Sequence, residues 1–344
     1  MSQYQIKMLT TDRYADWDQF VEKECENATF FHKAGWQTVI EKTFNHPTFY
    51  LYAEKEGKIC GVLPLAQVKS FLFGNNLSSL PFAVYGGVAS NDPQALKLLE
   101  EKAIEIAQTK KVDALECKNT KQQHQDWPTK DLYYTFRKSF TENEEENLKA
   151  IPRKQRAMVR KGIKAGLTGE METGIETFFN IYSTSVRNLG TPVFPKKLFK
   201  NLRAVFKEDC DVLLIKHENI AIAAVMSFYF RDQVLPFYGG SLPQARRLKG
   251  NDFMYWDLMC RAAQRNYRLF DFGRSKKGTG AFSFKKNWGF EPQPLYYQYY
   301  LVKATEMPEI NPNNPKYRIL IKIWKKLPTA IANPLASFLS PYLG

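Results

Sequence analysis

The chain has 344 residues and a formal net charge of +14, and 44% of its residues are hydrophobic. This length and composition predict about two packed domains and exclude a mainly disordered protein. The longest apolar stretch, 220–230, is too short to cross a bilayer, and charged residues throughout 1–24 exclude a signal peptide. Five scattered cysteines without a CxxC pair are typical of reduced thiols in the cytosol. We therefore expect a cytoplasmic protein.

The positive charge is concentrated in three segments without an acidic residue: 151–165, 274–286 and 316–326. Such an excess favours an anionic partner, which can be a nucleic acid, a phosphorylated metabolite or an acidic lipid. In the first segment, cations at 153, 156, 160 and 164 share one side of a predicted helix. That side is either a surface for a nucleic-acid backbone or an ordinary solvated helix face.

The first half of the chain predicts helices alternating with strands. Helices are expected at 12–24, 36–43 and 92–109, and the last starts well because Asp92 precedes a proline at the first helical position. Strands are expected at 48–53, 58–68, 112–117 and 132–137, with one more that ends at 85–87 after a loop at 74–76.

The second half begins with an acidic linker at 142–146, followed by a basic helix at 148–165 that ends at Gly166. Further helices are expected at 175–188 and 252–264, the second of them capped by Asn251 or Asp252. Strands are expected at 212–216, 220–230, 234–238, 269–273 and 296–303.

One short phrase occurs twice, as Tyr85-Gly86-Gly87 and as Tyr238-Gly239-Gly240. Each occurrence follows an apolar hairpin and precedes a helix and a short strand, which indicates two copies of one domain. The element order predicts an α/β fold with α+β mixed-sheet layers. Its layout resembles that of N-acyltransferases of the GNAT type. We predict GNAT-like domains at 1–146 and 147–305 and a basic amphipathic tail at 306–344.

The loop before the helix at 252–264 is a candidate anion site, because free backbone N–H groups and the helix dipole both favour negative charge there. In GNAT enzymes this loop holds the pyrophosphate of the donor. Arg247, Gly250 and Asn251 fit that pattern, whereas Asp252 replaces its final small residue. A capped helix after a basic turn is the alternative interpretation.

The run from Asp271-Phe272-Gly273-Arg274 to Phe284-Lys285 resembles the signature of the FemABX family, aminoacyltransferases that build peptidoglycan cross-bridges from aminoacyl-tRNA. The resemblance covers residues 1–303. It implies that Arg160 belongs to a basic opening helix and that Arg187 contacts precursor phosphates, while residues 31–36 form an aromatic entry to the acceptor groove. Residues 127–132 and 151–156 resemble a FemAB-related branch associated with exosortase (PEP-CTERM) and exopolysaccharide gene clusters.

Lys285 is the main catalytic candidate, because acyl transfer to an amine develops a negative oxygen that a fixed cation stabilises. Phe284 could exclude water from it, Arg274 adds charge nearby, and a solvated surface lysine is the alternative. Candidate general bases are Asp271, Asp252 and Tyr238, each of which has a structural alternative. The acceptor groove is expected to contain Trp36, Tyr85 and Arg187.

The tail has an amphipathic pattern, with apolar residues on one side of a helix over 318–327 and basic residues on the other. This pattern is typical of an interfacial anchor, which would place the protein at the cytoplasmic face of the inner membrane. Packing of the tail on the first domain is the alternative.

The predicted function is transfer of an activated acyl or aminoacyl group to an amine of a cell-envelope or exopolysaccharide precursor. The donor would be acyl-CoA, an acyl carrier protein or aminoacyl-tRNA. No bound cofactor and no metal site are expected, since the four histidines lack ligand-like spacing. The alternative function is a catalytically silent GNAT-like module that binds RNA or an anionic polymer.

Overall fold

The computed structural model describes residues 4–70, 74–308 and 324–342. The contacts divide this described chain into two compact units. The first contains residues 4–133, 294–308 and 341–342, and the second contains residues 134–293 and 324–340.

The first unit contains two sheets and a long helix. One sheet has the order β1 (Gln5–Met8), β2 (Leu51–Lys55), β3 (Lys58–Leu63), β6 (Ala89–Ser90). The other has the order β4 (Leu65–Ser70), β5 (Gly74–Ser79), β7 (Ala114–Asn119), β17 (Tyr296–Leu301), β8 (Thr129–Lys130). The helices are α1 (Tyr14–Gln19), α2 (Gly35–Phe44) and α3 (Pro93–Thr109). As expected, Asp92 caps α3, which packs on β2 and β3 through an apolar face.

The second unit is built on one large mixed sheet. Its order is β10 (Thr168–Met171), β11 (Cys210–His217), β12 (Ile220–Phe230), β13 (Gln233–Ser241), β14 (Leu269–Asp271), β9 (Tyr133–Ser139), β15 (Ser275–Lys276), and β16 (Pro292–Pro294) also pairs with β9. The helices are α4 (Glu144–Ala150), α5 (Arg153–Lys164), α6 (Glu176–Leu189), α7 (Lys196–Phe206), α8 (Pro243–Leu248), α9 (Gly250–Gln264), α10 (Gly280–Asn287) and α11 (Thr329–Leu339). Helix α9 packs on one face of the sheet, and α6 packs on β12 and β13.

Each unit takes a strand from the other half of the chain. Strand β9 pairs with β14 in the sheet of the second unit, whereas β17 pairs with β7 and β8 in the first. The predicted boundary at 146 is therefore misplaced, and the strand at 296–303 does not complete the second copy. Local patterns cannot reveal such an exchange, because a strand's partner is a tertiary property.

The repeated Tyr-Gly-Gly phrase has two different structures. Tyr238-Gly239-Gly240 lies in β13, as predicted. Tyr85-Gly86-Gly87 lies in no strand, and the expected loop at 74–76 lies in β5. Two residues shortly before the first phrase, Leu80 and Phe82, have positive φ angles of 54° and 68°, which extended strand geometry does not allow.

The basic segment is broken into two helices. The expected acidic linker forms the start of α4, and Ile151-Pro152 separates α4 from α5 because proline cannot continue a preceding helix. Helix α9 begins at Gly250, after Lys249 in a left-handed conformation, so neither Asn251 nor Asp252 is its cap. Helices α7 and α10 were not expected, and Phe284 and Lys285 lie on α10.

Residues 324–340 of the tail pack on the second unit. Helix α11 contacts α6, and Nη1 of Arg187 donates to the carbonyl oxygen of Leu327 at 3.0 Å. Within the first unit, Nε2 of His46 lies 2.8 Å from the carbonyl oxygen of Pro341. Most of the amphipathic segment at 318–327 lies outside the described residues. Among the described residues, no helix has both the length and the apolar character needed to cross a membrane.

Replacing Gly240 with alanine should destabilise the second unit. A Cβ atom there would lie 2.8 Å from the Cα atom of Tyr182 and 3.1 Å from the Cβ atom of Ser185, both on α6. Because a backbone atom cannot move aside easily, we expect the Gly240→Ala free energy of unfolding to fall by about 1–3 kcal/mol in urea titrations.

Gly174→Ala is the matched control, because no atom lies within 4 Å of the Cβ position at Gly174. Its free energy of unfolding should stay within about 0.5 kcal/mol of the wild-type value. Equal values for the two variants would contradict close packing of β13 against α6.

Candidate active site

Strands β13 and β14 separate soon after they meet. Their parallel pairing covers only Gln233 with Leu269 and Val234 with Phe270, although β13 continues to Ser241 alongside β12. A bulge accompanies the separation, since Met226 pairs with Tyr238 and Ser227 with Pro236, which leaves Phe237 as the extra residue. We call the gap between residues 235–241 and 271–274 the β13–β14 opening.

Gly239 and Tyr255 lie together at this opening. Gly239 is exposed, and a Cβ atom added to it would lie 3.2 Å from the hydroxyl oxygen of Tyr255. The Tyr255 hydroxyl makes no hydrogen bond within the described chain. Burial, together with the charge of Asp252, raises the pKa of Tyr255 to about 12. The hydroxyl therefore keeps its proton at neutral pH and can donate a hydrogen bond to a ligand.

Lys285 reaches back from α10 to the end of β14. Its ammonium group donates to three successive carbonyl oxygens, those of Phe272 at 2.7 Å, Gly273 at 3.0 Å and Arg274 at 3.1 Å. The Nζ atom lies 5.5 Å from the ring centre of Phe136 and 5.9 Å from that of Phe272. Lys285 is thus not a solvated surface lysine. Its hydrogen bonds connect residues 272–274, which border the β13–β14 opening, to α10.

The charge on Lys285 is under opposing influences. Burial lowers its pKa to about 7; the carboxylate of Asp271 raises this pKa, and the guanidinium of Arg274 lowers it further. The three carbonyl acceptors match the three N–H groups of the charged form. A lysine with such a pKa changes its charge within the physiological range of pH.

Asp271 holds β14 to β9 and does not face a ligand. Its carboxylate is 1% exposed and accepts hydrogen bonds from Nε of Arg137 at 2.8 Å, the hydroxyl of Thr135 at 3.3 Å and the backbone N–H of Gly273 at 2.7 Å. These contacts favour the structural alternative over the expected role as general base.

Tyr238 lies on the opposite face of the sheet from Gly239, because side chains alternate along a strand. Its ring is 4% exposed and packs against Phe199 and Tyr182 at centroid distances of 5.1 and 5.8 Å. Its hydroxyl has no hydrogen-bond partner among the described residues, and burial raises its pKa well above the ordinary value. Tyr238 therefore lies in the core, and its burial disfavours the expected role as a base.

The acidic residue Asp252 lies in the first turn of α9, and neighbouring side chains hold its carboxylate. The Oδ1 atom of Asp252 accepts from Nε2 of Gln155 at 2.8 Å and from Nε1 of Trp288 at 3.1 Å. Burial raises the pKa of Asp252, while these two hydrogen bonds oppose the rise. The expected donor-phosphate residues remain nearby, with Arg247 and Asn251 exposed and Gly250 buried against Ala245. The negative charge of the Asp252 carboxylate near these residues disfavours a bound pyrophosphate.

The three residues expected to bind the acceptor lie in three different environments. Trp36 is completely buried beside Phe30 and Phe31, so it belongs to the core and offers no surface to a ligand. Tyr85 lines a cavity of about 60 Å³ in the first unit, which has room for a few waters or a small polar group. Arg187 contacts Leu327, and its Nε atom is buried without a partner within the described residues.

The basic face of α5 is exposed and not neutralised. We use this name for five exposed cations, none of which has an acidic partner within ion-pair distance in the described chain: Arg153, Lys154, Arg160, Lys161 and Lys164. Arg156 does not belong to it, because its guanidinium donates to the carbonyl oxygens of Lys149 and Ile151. The opposite side of α5 packs on α9, where the Cβ position of Gly162 lies 2.8 Å from Cβ of Phe253.

Two further expected residues lie near the opening. Phe284 packs among Tyr255, Phe272 and Trp288, and Arg274 is exposed at the end of β14. Within the described residues, no group of three or more His, Cys, Asp or Glu side chains is placed to hold a metal ion.

Tyr255 and the exposed backbone of Gly239 were missed from the sequence. Pro236 was an available signal, because a proline inside a strand removes a backbone donor and commonly marks a bulge. The pairing of Tyr255 with Gly239 had no such signal, since it depends on how α9 crosses the sheet.

Part of the chain matches a known protein family. Residues 151–286, less than half of the chain, match the family model described as an acetyltransferase (GNAT) domain. Comparison with curated proteins gives no match.

Three solved structures are similar to this chain. The crystal structure of FemX has a TM-score of 0.67 at 17% identity and covers 92% of this chain and 100% of that chain. The C-terminal domain of a putative lysylphosphatidylglycerol synthetase from Agrobacterium fabrum has a TM-score of 0.56 at 11% identity and covers 84% of this chain and 91% of that domain. A tandem GNAT protein from the clavulanic acid biosynthesis pathway has a TM-score of 0.52 at 11% identity, covering 88% of this chain and 100% of that protein.

Such low identities establish the fold alone. The chain has mixed α/β architecture and a FemABX-like tandem GNAT fold, which confirms the predicted fold class. The residues that match the acetyltransferase (GNAT) family model, 151–286, include all of the β13–β14 opening. Together these findings support an acyltransferase in general terms, without identifying its substrates.

The stability contributed by Lys285 should rise with pH. Its pKa is about 7 in the folded protein and that of an ordinary lysine, 10.5, after unfolding. Between these values the unfolded chain binds the extra proton, so raising the pH favours the folded state. We expect the difference in free energy of unfolding between wild type and Lys285→Met to shift in favour of the wild type from pH 7 to pH 10.

Chemical denaturation at several pH values measures this difference, and the Lys285→Met variant removes the titrating group. If the carbonyl acceptors instead held the ammonium charged throughout this range, the difference would stay flat or shift the other way. Either result would contradict a folded-state pKa near 7.

Proposed function

We propose that the protein is an N-acyltransferase that moves an aminoacyl or acyl group from an activated ester to an amine. The observation that carries this proposal is the β13–β14 opening, where exposed Gly239 lies beside the unpaired Tyr255 hydroxyl. The opening lies within the residues that match the acetyltransferase (GNAT) family model. In this proposal the reacting carbonyl group lies in the opening, and the second unit is the catalytic copy.

The chemistry requires one bond to form and one to break. The acceptor nitrogen forms a C–N bond to the carbonyl carbon, and the C–O or C–S bond to the donor breaks. The nitrogen loses a proton and the departing oxygen or sulfur gains one. Tyr255, protonated at neutral pH, donates to the developing oxyanion or to the leaving atom. Lys285 holds the carbonyl groups of residues 272–274 in place.

Lys285 acts mainly as a positioning residue in this proposal. All three of its N–H groups are used by the carbonyls of residues 272–274, so the shape of the β13–β14 opening depends on them. Asp271 supports the same segment through the Gly273 N–H. Arg274 and Phe284, at the edge of the opening, are proposed substrate contacts.

The favoured donor is aminoacyl-tRNA. Asp252 occupies the start of α9, where a coenzyme A pyrophosphate would be expected in a GNAT domain. The unneutralised basic face of α5 instead suits a chain of phosphates, and Arg246 and Arg247 at the end of α8 are two further exposed cations of the second unit. Acyl-CoA and acyl carrier protein remain the donors to test against it.

The proposed acceptor is an amine on a lipid-linked or nucleotide-linked precursor of a cell-envelope polysaccharide or exopolysaccharide. The FemABX resemblance and the resemblance to the exosortase-associated (PEP-CTERM) branch support this choice. Tyr85, which lines the cavity of the first unit, is retained as an acceptor contact. Such an acceptor would place the enzyme at the cytoplasmic face of the inner membrane.

Lys285→Ala should lower turnover about 10²–10³-fold, because loss of its three hydrogen bonds frees residues 272–274 and misplaces the reacting groups in the opening. Single-turnover transfer from aminoacyl-tRNA to an amine acceptor measures the effect. Lys286→Ala is the matched control, because Lys286 is the exposed next residue of α10. Its turnover should stay within about twofold of wild type.

The Tyr255→Phe variant tests the role of the hydroxyl in catalysis separately from the shape of the β13–β14 opening. This variant keeps the ring packing against Phe272 and removes only the hydroxyl. A reduced rate at unchanged KM supports its role as a donor in the transition state. Turnover of folded Lys285→Ala and Tyr255→Phe proteins that matches wild type would place the reaction elsewhere.

Charge reversal on the basic face of α5 should weaken donor binding. Arg160→Glu combined with Lys164→Glu should lower affinity for tRNA, and the slope of log affinity against log salt should flatten by roughly 0.7–0.9 for each phosphate that the protein no longer neutralises. Filter binding at several salt concentrations measures both. Lys197→Glu with Lys200→Glu, on α7, is the control and should leave affinity and slope unchanged. An equal decrease in affinity in the two variants would mean that only net charge matters.

A catalytically silent module that binds RNA is the second candidate. The full use of the Lys285 N–H groups and the carboxylate at the start of α9 favour it. This candidate predicts salt-sensitive RNA binding without release of an acyl group from aminoacyl-tRNA, acyl-CoA or acyl carrier protein. Release of an acyl group from any of these donors in the presence of an amine would contradict the silent module and support the enzyme.

A further inference from the structure

Helix α11 presents a row of large apolar side chains to solvent. Ile331, Leu335 and Phe338 are 51%, 48% and 73% exposed. Their spacings of four and three residues place them on one side of the helix. We call these three residues the apolar row.

The other side of α11 fixes the helix to the protein. Ala332 and Ala336 are buried, and α11 packs against α6. Small side chains thus face the protein while the bulky ones face outward, the reverse of an ordinary surface helix. Elsewhere in the described chain the exposed large apolar side chains occur one per element, at Met8, Ile163, Met171, Leu189 and Ile220.

The charge around the apolar row identifies its partner. No charged residue occurs from 327 to 344, and no acidic residue occurs from 310 to 344. Lys325 and Lys326, both exposed, stand directly before the helix. Helix α11 therefore combines an apolar side with neighbouring cations and has no acid nearby in the sequence. This combination fits the boundary of an anionic bilayer, where acyl chains meet phosphate groups.

A second copy of this chain fits the row less well. Whether the two helices packed parallel or antiparallel, Lys325 and Lys326 of each copy would meet no acid in segment 310–344 of the other copy. An anionic lipid surface supplies that negative charge.

We propose that the apolar row is a membrane-docking surface, which inserts Ile331, Leu335 and Phe338 at the surface of an anionic bilayer while Lys325 and Lys326 contact lipid phosphates. This docking is peripheral and requires no spanning helix. It is independent of the proposed acyl transfer, because binding to lipid needs neither donor nor acceptor.

Flotation of the full chain with vesicles tests the proposal. Wild-type protein should float with vesicles of phosphatidylglycerol and phosphatidylcholine, and far less with phosphatidylcholine alone. Leu335→Ser combined with Phe338→Ser should weaken partitioning at least about tenfold. Lys325→Ala with Lys326→Ala should weaken binding to the anionic vesicles only.

Ile220→Ser is the matched control, because Ile220 is 62% exposed but stands alone in the β11–β12 hairpin. It should float within about twofold of wild type, and thermal unfolding confirms that each variant is folded. Wild-type protein that stays in the lower fraction with both vesicle types overturns the proposal, as does an equal decrease in flotation of Ile220→Ser. A wild-type dimer in sedimentation equilibrium that the double serine variant converts to monomer assigns the row to self-association and also overturns it.

Discussion

The buried carboxylate of Asp271 is the constraint on which the candidate site depends. It joins Arg137 and Thr135 of β9 to the end of β14, and through the N–H of Gly273 it fixes the turn that follows. Removal of one partner from a buried pair of this kind costs about 3–5 kcal/mol, because the other charge is left without compensation. Held to β9 in this way, β14 leaves β13 after two residue pairs, and the β13–β14 opening results.

Lys285 works on the same segment from the other side. The carbonyl oxygens of residues 272–274 accept hydrogen bonds from its ammonium group. The segment after β14 is therefore fixed by Asp271 at its start and by Lys285 along residues 272–274. This explains why the Asp-Phe-Gly and Phe-Lys motifs occur together in one sequence: each fixes the backbone that the other leaves free. The opening is therefore a preorganised feature of the fold, as electrostatic catalysis requires.

The two copies differ in structure at the phrase that they share in sequence. In the second unit, Gly240 lets α6 approach the sheet and Gly239 leaves space for the Tyr255 hydroxyl. In the first unit, the phrase lies outside any strand and lines a small polar cavity. The difference supports a division of work in which the second unit carries the chemistry and the first contributes to binding.

The sequence alone was sufficient for the fold class, the duplication, the capped start of α3 and most element positions, because apolar periodicity and caps are local signals. It also located the segment around Lys285. Only the tertiary structure decided that β9 and β17 exchange units, that Asp271, Tyr238 and Trp36 are buried, and that Tyr255 meets Gly239. These facts depend on which distant residues come into contact, and one chain's local pattern carries no information about that choice.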